Sequence, residues 1–269
     1  MPETGILYLV PTPLGPHPRN QVLPGHVIDI VHHLDTFFVE RIRQAISFLR
    51  WIEHPLPDFK CRFYELNKHT PGEDLIEMLS ILKNGGTAGI LTEAGCPGVA
   101  DPGSDLVRLA HESDVRVIPL VGPSSILLAI MASGMNGQAF AFHGYLPRPG
   151  REQTERIRSL ERESSRRHTT QVFMETPYRN NELMKELLRE LADDTRLCVA
   201  SNLTLPDEQI ISCRVAVWKK REWNLDRRPA IFLILAGGEG GGGRPHGSGR
   251  IKNSPGKKKP ARRRKQAGK

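Results

Sequence analysis

Short apolar runs recur along most of this chain, each stopped by proline, glycine or a charged residue and each followed by a stretch with helical spacing. The first is Ile6-Leu-Tyr-Leu-Val10, which ends at Pro11 and Pro13. Behind Pro24-Gly25, residues 23–34 read as helix; Phe37-Phe-Val39 reads as a buried strand ending at Glu40, and 43–52 as helix. Phe63 lies in a short strand. A helix over 71–83 follows, with Thr70 as N-cap, Pro71 in its first turn and Glu73 and Asp74 near its positive end. Then come a strand at 87–91, a helix from a Ser104 cap to Glu112, a strand at 115–121, and Gly122-Pro-Ser-Ser125 opening an apolar helix to Ala132. The pattern restarts with strands at 140–145, 170–175, 196–200 and 230–235, helices at 151–166 and 180–191, and a strand or short helix at 215–220. Such alternation predicts an α/β fold with parallel pairing in at least the first half. The break at 121–125 divides it into an N-terminal α/β domain, 1–121, and a C-terminal α/β domain, 122–237.

Charge is spread unevenly. Of the 38 Lys and Arg, 11 fall in 238–269 beside a single acid, Glu239, leaving 27 basic and 29 acidic residues in the rest. An argument for nucleic-acid binding from bulk charge is therefore an argument about that tail alone. The tail is nearly free of apolar residues and is expected to be disordered. Its Lys257-Lys-Lys259 and Arg262-Arg-Arg-Lys265 runs would attract RNA in a salt-sensitive way, with a solubilising extension as the plain alternative. Gly238, Gly240 and Gly243 spell G-x-G-x-x-G, but Arg244-Pro245 follow where a dinucleotide site needs a helix, so this is a linker. No apolar run approaches the roughly 20 residues of a membrane span. Met1–Gly5 carries no basic stretch and Ile6–Val10 is too short for a signal peptide, so the expected location is the cytoplasm. Cys61, Cys96, Cys198 and Cys213 are scattered, without a C-x-x-C pair or a His at ligand spacing; they read as incidental thiols, and no metal site is expected.

Three loops fall where open α/β sheets bind ligands, at the carboxyl ends of strands. Pro11-Thr-Pro-Leu-Gly15 is rigid and short of N–H donors, which suits a ligand that donates hydrogen bonds; a rigid surface turn explains it equally well. The segment Thr92–Gly103 packs Gly95, Gly98, Gly103, Pro97 and Pro102 around Glu93 and Asp101, a density better explained by ligand binding than by a plain connector. Val121-Gly-Pro-Ser-Ser125 puts two hydroxyls at a helix start, one of them the N-cap.

The ordered motifs PTPLG, TEAGCPGVADPGSDL, VIPLVGPSS and FHGYLP resemble those of the tetrapyrrole-methylase-like (class III) methyltransferases over about 1–237. The resemblance is to the branch that methylates the cytidine 2′-O-ribose of ribosomal small-subunit RNA in particular. It implies a two-domain α/β fold with S-adenosyl-L-methionine in the cleft between the domains, a homodimer, and ribosomal RNA as substrate. By that resemblance Pro11, Gly15, Glu93, Ala94, Gly95, Val99, Ala100, Asp101, Ser124, Ser125, Pro229 and Ala230 border the cofactor. Two departures bear on the acceptor. The branch reads G-N-L-x-D where this chain has Gly15-Pro-His-Pro, and E-D-T-R where it has Glu40-Arg41-Ile42-Arg43.

For a hydroxyl acceptor the candidate bases are Glu40, Glu93, His143 and Glu175. Glu93 better serves the cofactor and His143 better serves as a structural hydrogen-bonding residue, which leaves Glu40 and Glu175 without a choice between them. Arg43, Tyr178 and Arg179 are the candidate substrate contacts: Glu175-Thr-Pro-Tyr-Arg179 resembles an E-[ST]-P-x-R segment, in which Tyr178 stacks on a base and Arg179 holds a phosphate, or Tyr178 merely packs a turn. RNA methylation is the leading expectation. Methylation of a small molecule of tetrapyrrole type, and a cofactor-binding RNA-associated module with little catalysis, are the alternatives.

Overall fold

The computed structural model describes residues 4–17 and 21–237. The tail 238–269, with its expected disorder, its basic runs and its G-x-G-x-x-G, lies outside the described residues.

The first half runs β1 (Ile6–Val10), α1 (Gly25–His32), β2 (Thr36–Val39), α2 (Ile42–Trp51), β3 (Arg62–Glu65), α3 (Gly72–Lys83), β4 (Ala88–Leu91), α4 (Ser104–Glu112) and β5 (Arg116–Pro119). Its five strands form one sheet in the order β3-β2-β4-β1-β5, every pair parallel. β2 and β4 are buried at every residue, which is why they read as unbroken apolar runs: helices cover both faces of a parallel sheet. Val31, Leu34 and Leu49 from the α1 and α2 side meet Val10 and Phe37; Met78, Leu82 and Leu106 of α3 and α4 meet Leu7, Phe38 and Ile90 on the other face.

After α5 (Ser125–Ser133) the second half runs β6 (Phe140–Tyr145), α6 (Arg151–Arg167), β7 (Thr170–Met174), α7 (Asn180–Glu190), β8 (Arg196–Ser201), β9 (Gln209–Arg214), α8 (Val215–Trp218) and β10 (Ala230–Leu235). Its sheet has the order β6-β7-β10-β8-β9, parallel only between β6 and β7. α6 and α7 cover one face, with Ile157, Leu160, Leu183 and Leu187 against Phe173 and Phe232; α5 covers the other through Ile126, Ala129 and Ile130 against Val172, Ile231 and Leu233.

The architecture is the α/β class expected, with local differences. β9 escapes the apolar pattern because it is an edge strand with no fully buried residue. In the stretch 215–220 the short helix α8 takes up 215–218. Thr70 is not the cap of α3: the helix begins at Gly72 behind Pro71, and the Thr70 hydroxyl instead accepts the Asn67 N–H at 2.7 Å. Ser104 is the first helical residue of α4, and Gly103 caps it at φ 120°, a conformation that suits glycine. Ser124 does cap α5, accepting the Leu127 N–H. Among the described residues no helix is long and apolar enough to cross a membrane, and no group of three His, Cys, Asp or Glu is placed to hold a metal.

Candidate active site

β1 and β4 are neighbours in the sheet, yet the helices that follow them, α1 and α4, pack on opposite faces. The carboxyl ends of these two strands are therefore the switch point of the sheet, where open α/β sheets bind ligands. The first loop is joined to the second by Thr12 N–H to Gly95 O at 2.9 Å, Gly95 N–H to Thr12 O at 3.0 Å, and the Thr12 hydroxyl to Thr92 O at 3.2 Å. The third loop closes on the first because Gly122 has no side chain: a Cβ there would stand 2.2 Å from Pro11 Cγ, inside a rigid ring. The Cys96 thiol reaches Pro123 O at 3.5 Å, so a thiol read as incidental bridges the second and third loops. Within the second loop Gly95 and Gly98 hold φ of +85° and +76°, and Ala100 holds φ 64°. A non-glycine residue in that region costs about 1–2 kcal/mol, and such strain gathers at functional loops.

A cleft of about 450 Å³ lies between these loops and the second sheet. Leu14, Glu40, Glu93, Ala94, Val99, Ala100 and Asp101 line it from the first half, and Ser125 and Ile126 from the start of α5. Across from them stand Tyr145, Met174 and Glu175 at the ends of β6 and β7, Asn202 and Leu203 after β8, and Pro229, Ala230 and Ile231 at β10. Of the residues expected at the cofactor, Pro11, Gly15, Gly95 and Ser124 do not line the cavity. Pro11 and Gly95 are buried in the loop-to-loop contacts, Gly15 backs onto Leu205, and Ser124 is spent on its cap.

Among the described residues no Lys or Arg lines the cleft. Burial pushes the Asp101 carboxyl up to about 6, with Glu40 and Glu93 adding to the effect. Glu40 is raised as well, by burial first and then by Glu93, against the lowering pull of Arg41. Arg41 Nε pairs with Glu93 at 2.8 Å, and among the described residues no other arginine is bound to this trio. Three carboxylates around one cavity favour a cationic ligand. The wall holds a further open acceptor: Glu175, its side chain fully buried, takes the Thr176 N–H and Arg179 Nη2 on Oε1, both at 2.6 Å, while Oε2 has no protein hydrogen-bond partner among the described residues.

The candidate bases separate by position. Glu40 lines both this cleft and a second cavity of about 910 Å³, bounded by 65–70 after β3 and by Ser104 and Asp105 of α4. Glu175 lines the first cavity alone. His143 is a structural residue: Arg156 donates to its Nδ1 at 2.9 Å, which leaves Nε2 carrying the proton given to Gln171 Oε1 at 2.6 Å. Among the expected substrate contacts, Arg43 is exposed on α2 and lines neither cavity, Tyr178 is 76% exposed in the turn after β7, and Arg179 lines neither cavity and gives its Nη2 to Glu175. Tyr145, Met174, Asn202 and Leu203 were not singled out as site residues. Only the FHGYLP motif carried a signal, for Tyr145.

The family described as Tetrapyrrole (Corrin/Porphyrin) Methylases matches residues 40–217. A Ribosomal RNA small subunit methyltransferase I of Bacillus subtilis (strain 168) is 32% identical over 211 residues, covering 78% of this chain and 67% of that protein. Among solved structures, a diphthine synthase superposes with a TM-score of 0.59 at 15% identity, over 86% of this chain and 90% of its own. A uroporphyrin-III C-methyl transferase from Thermus thermophilus, complexed with S-adenosyl homocysteine, gives 0.53 at 19% identity over 86% and 97%. Both structures share the fold.

Proposed function

Since the chain belongs to the tetrapyrrole (corrin/porphyrin) methylase family of S-adenosylmethionine-dependent methyltransferases, we propose that it methylates RNA, at a ribose 2′-oxygen of small-subunit ribosomal RNA. The observation that carries the acceptor is the 32% identity to the Bacillus subtilis ribosomal RNA methyltransferase.

The cleft suits the cofactor on its own chemistry. Glu40, Glu93 and Asp101 favour the positive charges of a sulfonium and an α-ammonium. The first N–H groups of α5, which have no intrahelical acceptor, favour the carboxylate beside Ser125. Leu14, Ile126, Met174, Leu203 and Ile231 offer apolar walls for a purine, and Glu175 Oε2 an acceptor for one of its donors. When bound, S-adenosylmethionine supplies an electrophilic methyl group on sulfur. The protein's part would be to position the acceptor oxygen against the bound cofactor, and alignment supplies much of the effect. Glu40 and Asp101 stand on the wall common to both cavities, so the acceptor's proton would pass to this pair; burial lifts the Asp101 carboxyl to about 6, and Glu40 is raised as well.

The test is transfer of radiolabelled methyl into RNA from cells lacking the protein, followed by nucleotide mapping. Label on a ribose of small-subunit RNA is expected; label confined to bases, or none, would overturn the reading. The reading includes a cytoplasmic protein with lobes at 1–121 and 122–237 and a homodimer. An apolar face of α5 supports the dimer: Leu127 and Met131, one turn apart, are 54% and 79% exposed, with Val121 also exposed just before the helix. Sedimentation should show a dimer that Met131→Glu weakens at least tenfold; a monomeric wild type would discard it.

A further inference from the structure

The side chain that both cavities share from the second sheet is Tyr145, and a backbone irregularity aims it there. β6 and β7 pair in regular parallel register at Phe140–Thr170, Ala141–Gln171 and Phe142–Val172, but Tyr145 is paired with Met174, one position short of a regular ladder. The extra residue is a bulge at Gly144, which holds φ +64° with nothing within 4 Å of where a Cβ would be. Glycine is thus there for its backbone conformation, not for space. In an unbroken strand Tyr145 would share a face with His143, beneath α6 where Arg156 lies. A one-residue slip exchanges the faces, so Tyr145 turns to the side of its partner Met174, which lines the cleft, and Leu146 takes the α6 face.

The ring is 56% exposed at the boundary of the two cavities. Asp101 and Glu40 from the first half and Glu175 and Arg179 from the second act on its hydroxyl; burial and the carboxylates outweigh the arginine and hold the phenol un-ionised. An open aromatic face beside a cavity of about 910 Å³ that carries Asn67, Lys68 and Thr70 has the makings of a nucleobase site. We propose that Tyr145 is the platform on which the acceptor nucleotide's base stacks, so that its ribose faces the cofactor cleft. This rests on the RNA reading above. It moves the stacking role from Tyr178, which lines neither cavity, to a residue on the wall where the two meet.

Three proteins are compared: the full chain, Tyr145→Ala and Tyr145→Phe. Each is assayed for methyl transfer to ribosomal RNA and for binding of a short single-stranded RNA in the presence of S-adenosylhomocysteine. Loss of the ring should raise KM for RNA, and weaken RNA binding, on the order of tenfold to a hundredfold. Tyr145→Phe should restore both to within about threefold, because stacking needs the ring and not the hydroxyl. Melting temperature should be unchanged in both variants, and Tyr145→Ala should lose much less affinity for S-adenosylhomocysteine, whose cleft the ring also lines, than for RNA. An unchanged KM in Tyr145→Ala, an equal loss in Tyr145→Phe, or a matching loss of S-adenosylhomocysteine affinity would overturn the assignment. If the unsubstituted chain neither methylates nor binds RNA, the RNA reading has failed and the stacking role falls with it.

Discussion

Asp101→Asn is expected to lower methyl transfer on the order of a hundredfold and, at the same time, to raise the melting temperature of the ligand-free protein at pH 8. Both effects come from one carboxyl group. Burial, with Glu40 and Glu93 nearby, lifts it from 3.8 to about 6. The folded chain therefore holds this proton over a range of pH in which the unfolded chain has released it. Where the native state binds more protons, stability falls as pH rises, so the cost of ionising Asp101 begins near pH 3.8 and is complete above about 6. Asparagine keeps the shape and has no proton to release. The variant should match the wild type near pH 3.5 and exceed it at pH 8. A cationic ligand reverses the preference: it favours the ionised carboxylate, so cofactor affinity in the wild type should strengthen as pH rises through 6 and stay flat in the variant. Melting curves and calorimetry across that range decide the matter. Equal melting temperatures at pH 8, or unchanged methyl transfer, would show that Asp101 is not the strained acid the cleft makes of it.

Arg179→Met is expected to produce the largest loss of stability of any single change at the site. Glu175 is fully buried and receives Arg179 at 2.6 Å; removing the cation leaves the carboxylate with the Thr176 N–H and no countercharge. Leaving a buried carboxylate without its cation costs about 3 kcal/mol, which for a chain of this size lowers the melting temperature by roughly 6–12 °C. The double change Glu175→Gln with Arg179→Met removes both charges and should recover most of that loss, since the cost lies in the unpaired charge and not in the contact. A double variant at least as unstable as Arg179→Met would mean that Arg179 acts through packing. The outcome also bears on function: Arg179 was expected to hold a substrate phosphate, and in the structure its Nη2 holds the wall of the cleft.

Much of the fold was legible because strands and helices announce themselves locally. β1, β6 and β10 begin and end where the apolar runs do. Helix starts were harder: Thr70 and Ser104 are good capping types, but Pro71 and Gly103 occupy the cap positions. β9 was not legible, since an edge strand with half-buried side chains lacks the contrast that periodicity needs. At the site, Glu93 and Asp101 were found from their loop and Glu40 and Glu175 as candidate bases at strand ends, and all four line the cleft. Arg43 was chosen for its match to a motif, but helical geometry carries it away from the cavity that Glu40 faces, and it is Arg41 that reaches Glu93. Tyr145 and Tyr178 lie in equally suggestive motifs, and no local rule separates them.

By itself the sequence determined the α/β class, the three proline- and glycine-rich loops and the family, because each is written in short-range periodicity, in residues with special backbone freedom, or in motif order. Only the tertiary structure decided which side chains share a cavity. That depends on the order β3-β2-β4-β1-β5, which sets the loops after β1 and β4 side by side, and on the Gly122–Pro11 contact that draws the third loop in. It also depends on a one-residue bulge at Gly144 that turns Tyr145 to the cleft. Strand order and register are long-range pairings between segments far apart in the chain, and a single residue of slip is enough to exchange one face of a sheet for the other.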